Sequence, residues 1–328
     1  MYYIGIDIGA TNTRIAVADE GGRILKRIRF SSPHEGDENT VAEVILEKLR
    51  SEFAQYLDRV KSVGIGTIGP VDLRRGMVVN TPNLGIPTFH LVKPLSESLK
   101  RPVYMLNDCV AAVWGERRFG AARGVDNAVY ITISTGIGGG VIVNGALLLG
   151  KDGNAHEIGH IVVDYKYRLR CGCGGYGHWE GYASGSGIPR FAKYIAENEE
   201  LSPEEQRSPL YELALAGGLR SEILYREARR GDAFAKRVVE EVTRINIAGV
   251  ASVINVYDPE VVTIGGSIAL RNPDLVIEPI VREAPRNVIT RAPRIEATPL
   301  GDDAVLYGAI ALAMEPPETL LRMLQQAI

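Results

Sequence analysis

Two stretches about 125 residues apart, 3-YIGIDIGATNTRIAVA-18 and 128-AVYITISTGIGGGVIVNG-145, share one plan: an apolar strand, a tight turn of Gly, Ser, Thr and Asn, and a second apolar strand. Apolar runs of this kind read as buried strands, which need covering layers on their faces. The rest of the chain offers such layers. Strands are expected at residues 2–8, 14–18, 24–30, 60–67 and 103–106, with a helix at 109–119. Thr40 with Glu43 predicts a capping box that opens a helix whose apolar residues Val41, Val44, Ile45, Leu49, Phe53 and Leu57 recur at three- and four-residue spacing. After residue 181 the sequence turns mainly helical, and residues 233–256 become apolar nearly all round, as a buried helix does. Asp258-Pro259 stops that helix, a short strand follows at 260–264, Gly265-Gly266 turns the chain, and a last helix begins near Asp303. Alternation of this sort predicts an α/β layer architecture.

At 328 residues the chain has room for about two domains. Hydrophobic residues make up 45%, charged residues 23%, and the formal charge is -3, so no general electrostatic footprint for nucleic acid is present. The opening residues MYYIGIDIGA have no basic start and no long apolar core, which predicts no secretory signal. No charge-free apolar run approaches the roughly 18 residues of a membrane span. A cytoplasmic location and no membrane partner are therefore expected. In a reducing compartment, close cysteines point to a metal or to redox chemistry before a structural disulfide.

The turn Asp7-Ile8-Gly9-Ala10-Thr11-Asn12-Thr13-Arg14 sets a carboxylate at a strand end, followed by small and hydroxyl-bearing residues. Such a turn can aim backbone N–H groups and Thr hydroxyls at phosphate oxygens, while Asp7 can hold magnesium through water. A plain hairpin is the alternative. The second turn, Ser134-Thr135-Gly136-Ile137-Gly138-Gly139-Gly140, favours the phosphate reading, because two such hairpins could grip one polyphosphate from opposite sides of a cleft. By contrast, 64-GIGTIG-69 matches the dinucleotide fingerprint in letters alone: Pro70 to Leu73 follow it without helical periodicity. Asn107-Asp108 stands where a strand meets a helix. The residue type fits an N-cap, and the place fits a carboxylate facing a substrate hydroxyl; spacing does not choose between them.

The segment 171-CGCGGYGHWEG-181 holds two of the three cysteines. Cys171 and Cys173, with His178 and with His160 eleven residues before Cys171, make two thiolates and two imidazoles, a tetrahedral set for structural zinc. A redox pair fits less well, since its usual spacing is C-x-x-C. Two unpaired thiols in a loop are the remaining alternative.

With these motifs in place, the chain resembles the ROK family of sugar kinases and sugar-responsive repressors. The resemblance runs from Asp7 to about Gly308 and rests on DIGATNTR, Asn107-Asp108, STGIGGG, 157-EIGH-160 and 171-CGCGGYGHWE-180, which is similar to the family signature C-x-C-G-x-x-G-C-x-E. It implies a two-domain actin-like ATPase fold of ribonuclease H-like repeats, with ATP and sugar in the interdomain cleft. A smaller α/β domain would span residues 1–110, completed by a C-terminal helix at 303–328, and a larger one residues 111–302.

The activity implied is ATP-dependent phosphorylation of a hexose, with glucose the first expectation and fructose, mannose or an N-acetylhexosamine the alternatives. By matching motif positions, Asp108 would be the general base, and Asn83, Asn107, Glu157, His160 and Glu180 would bind sugar hydroxyls. Asp7, Gly9, Thr11, Asn12, Thr135 and Gly136 would serve ATP and Mg²⁺, and Gly265 and Gly266 would lie near the adenosine. The metal ligands would be His160, Cys171, Cys173 and His178, where His178 stands in place of the family's third cysteine. Imidazole for thiolate makes the zinc site formally neutral instead of singly negative. Zinc would then fix the imidazole and carboxylates that grip the sugar. A homo-oligomer, dimer or tetramer, is also implied. The family's repressors carry an N-terminal DNA-binding segment, for which a phosphate turn beginning at Asp7 is expected to leave no room.

Overall fold

The first apolar run forms strand β1 (Tyr2–Ile8), in which Ile4, Ile6 and Ile8 are fully buried. In the structure, a computed structural model that describes residues 1–81 and 84–326, β1 pairs antiparallel with β2 (Asn12–Ala18), which pairs antiparallel with β3 (Ile24–Ser31). Helices α1 (Thr40–Glu52) and α2 (Ala54–Leu57) lead to β4 (Val60–Thr67). A small sheet of β5 (Val71–Asp72), β6 (Met77–Val78) and β7 (Phe89–His90) precedes α3 (Val92–Leu99), β8 (Val103–Asn107) and α4 (Asp108–Phe119). The main sheet runs β3-β2-β1-β4-β8, and β1, β4 and β8 are parallel.

The second strand–turn–strand unit becomes β9 (Ala128–Ile133) and β10 (Ile137–Val143), followed by β11 (Ala146–Leu147). Helices α5 (Trp179–Ala183), α6 (Gly187–Asn198), α7 (Pro203–Gln206), α8 (Pro209–Leu215), α9 (Ser221–Arg229) and α10 (Ala233–Tyr257) come next. Then follow β12 (Val261–Gly265), α11 (Ser267–Arg271), α12 (Ile277–Glu283), β13 (Arg294–Ala297), α13 (Ala304–Met314) and α14 (Glu318–Gln325). The second sheet has the order β11-β10-β9-β12-β13.

Two compact units result. The first comprises Met1–Tyr130, Gly140–His156 and Asp302–Ile328, and the second Ile131–Gly139 and Glu157–Gly301. The first unit therefore continues past the expected boundary at residue 110, because α4 packs against α13 and β4 of that unit. Its interior depends on close approach: a Cβ on Gly64 would stand 2.0 Å from the Ala309 carbonyl oxygen, and one on Gly308 would stand 2.0 Å from that of Ala111. Gly64 and Gly66 of 64-GIGTIG-69 thus let a helix lie on a strand, and strands β5 and β6 follow the motif where a dinucleotide fingerprint needs a helix. Gly64→Ala is expected to cost about 1–3 kcal/mol by overpacking, read as a fall of several degrees in thermal midpoint; an unchanged midpoint would refute this packing argument.

In the second unit Trp179, Tyr182, Phe191 and Phe234 are fully buried, and the Trp179 Nε1–H donates to Asn246 Oδ1 at 2.8 Å. Helix α10 is capped by Asp232, whose side chain accepts from the Ala235 N–H, and ends at Asp258 in the left-handed region (φ 46°). Among the described residues no helix is long and apolar enough to cross a membrane.

Three sequence expectations need correction. The capping box does not form: Asn39 is the N-cap of α1, and Asp37 Oδ1 accepts from the Asn39 N–H, the Thr40 N–H and the Thr40 hydroxyl. An aspartate three residues upstream offers a better-placed acceptor than the Thr–Glu pair. The helix also breaks at Phe53, so Leu57 lies in the separate α2 and is half-buried. The final helix is two, α13 and α14, because Pro316 and Pro317 cannot continue the first and instead precede the second.

Candidate active site and metal centre

In the first unit, the turn between β1 and β2 closes with the Gly9 N–H on the Asn12 carbonyl at 3.0 Å. Ser32 braces it: its N–H donates to the Thr11 carbonyl (3.1 Å), and its hydroxyl donates to the Gly9 carbonyl (2.7 Å) beside Thr13 Oγ1 (2.9 Å). With the Gly9, Thr11 and Asn12 carbonyls and the Gly9 N–H engaged in this way, the exposed Thr11 hydroxyl is the group this turn presents to an anion.

Asp7 is buried and lies directly across the ladder from Arg14. The Arg14 Nε–H donates to Asp7 Oδ2 at 2.7 Å, and its Nη1 reaches Asp303 Oδ1 (2.9 Å) and the Asp302 carbonyl (2.8 Å). Burial pushes the Asp7 carboxyl above its ordinary value, against the pull of the guanidinium. Arg14 was not among the expected site residues. Its signal was present all the same, since a tight turn after Ile8 makes Asp7 and Arg14 cross-strand partners.

Asn107, not Asp108, caps α4: its Oδ1 accepts the N–H groups of Cys109 (2.9 Å) and Val110 (3.5 Å). Asp108 is the first helical residue, and its Oδ1 accepts the Cys109 N–H at 2.7 Å. The capping explanation therefore falls on Asn107. In the parallel register Ile8 stands opposite Thr67 and Thr67 opposite Asn107, so β1, β4 and β8 end level. The phosphate-type turn and Asp108 consequently share the carboxyl edge of one sheet, two strand spacings or about 10 Å apart. Ligands of open parallel sheets lie at that edge. Asn83 lies outside the described residues.

In the second unit, the turn after β9 is held by Ser134 N–H to the Gly136 carbonyl (2.9 Å), Gly185 N–H to the Ser134 carbonyl (2.7 Å), and the Ser186 hydroxyl to the Thr135 carbonyl (2.9 Å). Thr135 is exposed. Gly265 ends β12, and Gly266 has φ 90° with its Cβ position 2.5 Å from the Ile133 carbonyl oxygen, so no other residue fits there. Glu180, in the first turn of α5, is bound to the same turn: its Oε2 accepts the Ile137 N–H at 2.9 Å, and a Cβ on Gly136 would lie 2.7 Å from it.

A short 3₁₀ turn, Ile158–His160, follows Glu157. His160 directs Nε2 toward Glu157 Oε2 (3.6 Å) and Nδ1 toward Cys171 Sγ (4.0 Å). Cys173 Sγ is 3.2 Å from His178 Nδ1, and one ligand atom from each of His160, Cys171, Cys173 and His178 falls within 4.8 Å of the others. Tetrahedral zinc, with bonds of about 2.3 Å to sulfur and about 2.0 Å to nitrogen, sets unlike ligands about 3.5 Å apart. The two measured separations bracket that value, so the donor set fits the ion. Burial holds His178 below the usual imidazole range, with His160 acting in the same direction, which keeps it in the neutral form that ligates. Cys171 Sγ also lies 3.8 Å from Glu180 Oε1.

Paired sheets fed by strand–turn–strand devices, with carboxylates at the strand ends, define an α/β protein of the actin-like ATPase fold. The structure is similar to that of a ROK hexokinase from Thermus thermophilus, with a TM-score of 0.80, 33% identity, and coverage of 95% of this chain and 98% of that one. A ROK family glucokinase from Streptomyces griseus, solved in complex with glucose and AMPPNP, matches with a TM-score of 0.75 and 34% identity over 95% of this chain and 99% of its own. In sequence, a glucokinase of Pyrobaculum calidifontis is 43% identical over 318 residues, 97% of each chain. The ROK family model matches residues 3–315, and the chain belongs to the ROK family.

Proposed function

We propose that this chain transfers the terminal phosphoryl group of ATP to a hexose, glucose first, giving glucose 6-phosphate. The observation that carries the reading is the match, over 95% of the chain, to a glucokinase that holds glucose and AMPPNP.

Phosphoryl transfer passes through a loose transition state, so the protein's part is positioning and charge stabilisation. Asp108 takes the proton of the attacking sugar hydroxyl, while the Asn107 side chain, its oxygen engaged by the cap, offers its NH₂ to a hydroxyl. Glu157, His160 and Glu180 bind further hydroxyls. The turns at Gly9–Asn12 and Thr135–Gly136 receive phosphate oxygens, and Gly265-Gly266 lets the adenosine approach the backbone. Magnesium carried by the nucleotide supplies charge neutralisation. Asp7 fits a water-mediated role toward it, because Arg14 already occupies one carboxylate oxygen.

His160, Cys171, Cys173 and His178 would hold zinc, which serves as a fixed scaffold. His160, whose Nδ1 faces Cys171 Sγ, would ligate through that nitrogen and keep its Nε2–H for Glu157 or a sugar hydroxyl. We read the enzyme further as a cytoplasmic homo-oligomer, dimer or tetramer. A coupled assay with ATP and magnesium against glucose, fructose, mannose and N-acetylhexosamines tests the function: the highest kcat/KM is expected for glucose, and ADP formation that does not depend on any hexose would refute it.

A further inference from the structure

The segment between His160 and His178 is folded around a carboxylate that none of the roles above uses. Asp164 Oδ1 accepts the Lys166 N–H at 3.0 Å. Its Oδ2 accepts the N–H groups of Tyr167 (2.9 Å) and Arg168 (3.3 Å) and the Tyr182 hydroxyl (2.9 Å). The same hydroxyl oxygen accepts the Leu169 N–H at 2.8 Å. Three of these donors close a local turn, as aspartate does in loops. The fourth comes from α5.

That fourth link ties the turn to the helix that carries Glu180. Helix α5 has His178 as its N-cap, carries Glu180 in its first turn, and packs Gly181 against Cys171. Tyr182 is fully buried, its ring edge-to-face on Phe191 at 5.0 Å, and Tyr167 meets the same ring at 4.9 Å. Burial, reinforced by the Asp164 carboxylate, pushes the Tyr182 phenol well above its ordinary value, so it remains a donor at any working pH. Lys166 ties the outer side of the turn to Glu199 at 3.1 Å. Hydrogen bonds and aromatic packing thus hold this segment without calling on the cysteine and histidine ligands, and a metal meets ligands already gathered. Preorganisation of this kind raises affinity by removing an ordering cost.

We propose that Asp164 and Tyr182 form one latch that positions α5, and with it His178 and Glu180, for metal and sugar binding. The inference rests on the metal and sugar roles proposed above for those two residues. Asp164 and Tyr182 are positioning residues, since neither touches substrate or ion.

Tyr182→Phe in the full chain removes the hydroxyl and keeps the ring. The expected results are a zinc affinity lower by about 10-fold, measured by competition with a chromophoric chelator, and weaker, shifted d–d bands in the Co²⁺-loaded protein. Glucose Kd by calorimetry should rise about 3- to 10-fold with kcat at saturation changed less than twofold, on the same scale of supporting-residue effects. A merely structural role would lower the thermal midpoint and the active fraction while leaving glucose Kd unchanged. The double variant Asp164→Ala/Tyr182→Phe should be no worse than the poorer single one, because each breaks the same link. Should the ring variant fail to fold, Asp164→Asn reads the same quantities. Unchanged zinc affinity and unchanged glucose Kd would overturn the latch. A wild-type protein that takes up no zinc would sink the metal reading alone, and the glucose arm would then judge the latch; one that binds zinc but no hexose would leave the metal arm to do so.

Discussion

Replacing Asp108 with alanine is expected to lower kcat by about 10² to 10⁴, the usual worth of a positioned general base, while glucose Kd stays within an order of magnitude. The separation of the two effects follows from the local structure. Asn107 supplies the N-cap of α4 through two backbone N–H groups, so removing the neighbouring carboxylate does not uncap the helix. Asp108 does accept the Cys109 N–H, but that donor is shared with Asn107 Oδ1. The thermal midpoint should therefore move little, and loss of turnover cannot be traced to unfolding. Asp108→Asn, nearly the same shape without the basic oxygen, should fall as far as the alanine variant. Steady-state kinetics with calorimetric glucose binding provides the check, and either variant keeping more than a tenth of wild-type turnover would remove Asp108 from the base role.

What could be read beforehand differed from one part of the molecule to another for physical reasons. The strand–turn–strand devices were legible because apolar runs and turn residues are local signals, and β1, β2, β9 and β10 form where those signals lie. The level ends of β1, β4 and β8 were not, since strand order and register are decided by pairing between distant segments. At Asn107-Asp108 two cap-forming residues stand side by side, and only the backbone settles which one bonds the free amides. The bonds from Asn39 and Thr40 to the Asp37 carboxylate ahead of α1 were hidden by a plausible local competitor, Thr40 with Glu43. The cysteines and histidines that cluster in the structure stand out by residue type, whereas Asp164 sits in an irregular loop where nothing in the spacing links it to Tyr182, eighteen residues on.

That loop also sets the size of the second large effect. Cys171→Ser removes a thiolate, and a serine hydroxyl does not ionise near neutral pH, so the four-ligand set loses a member that zinc requires. Burial, with the Cys173 thiol and the Glu180 carboxylate beside it, pushes the Cys171 thiol up to about 11. The fold should survive the loss, because Asp164, Tyr182 and the aromatic contacts hold residues 164–182 independently. Sugar binding should survive less well. Glu180 keeps its bond from the Ile137 N–H, but His160, 30% exposed, loses the tie that fixes its ring, and Glu157 loses the partner that ring presents. Glucose Kd is therefore expected to rise about 10- to 100-fold, the range seen when the support of a metal site is removed, with nucleotide affinity within about twofold of wild type. Metal analysis establishes the loss of zinc, and calorimetry with glucose and with AMPPNP measures the two affinities. A zinc-free Cys171→Ser protein that binds glucose as tightly as wild type would mean that the cluster stabilises the loop without orienting the residues that hold the sugar.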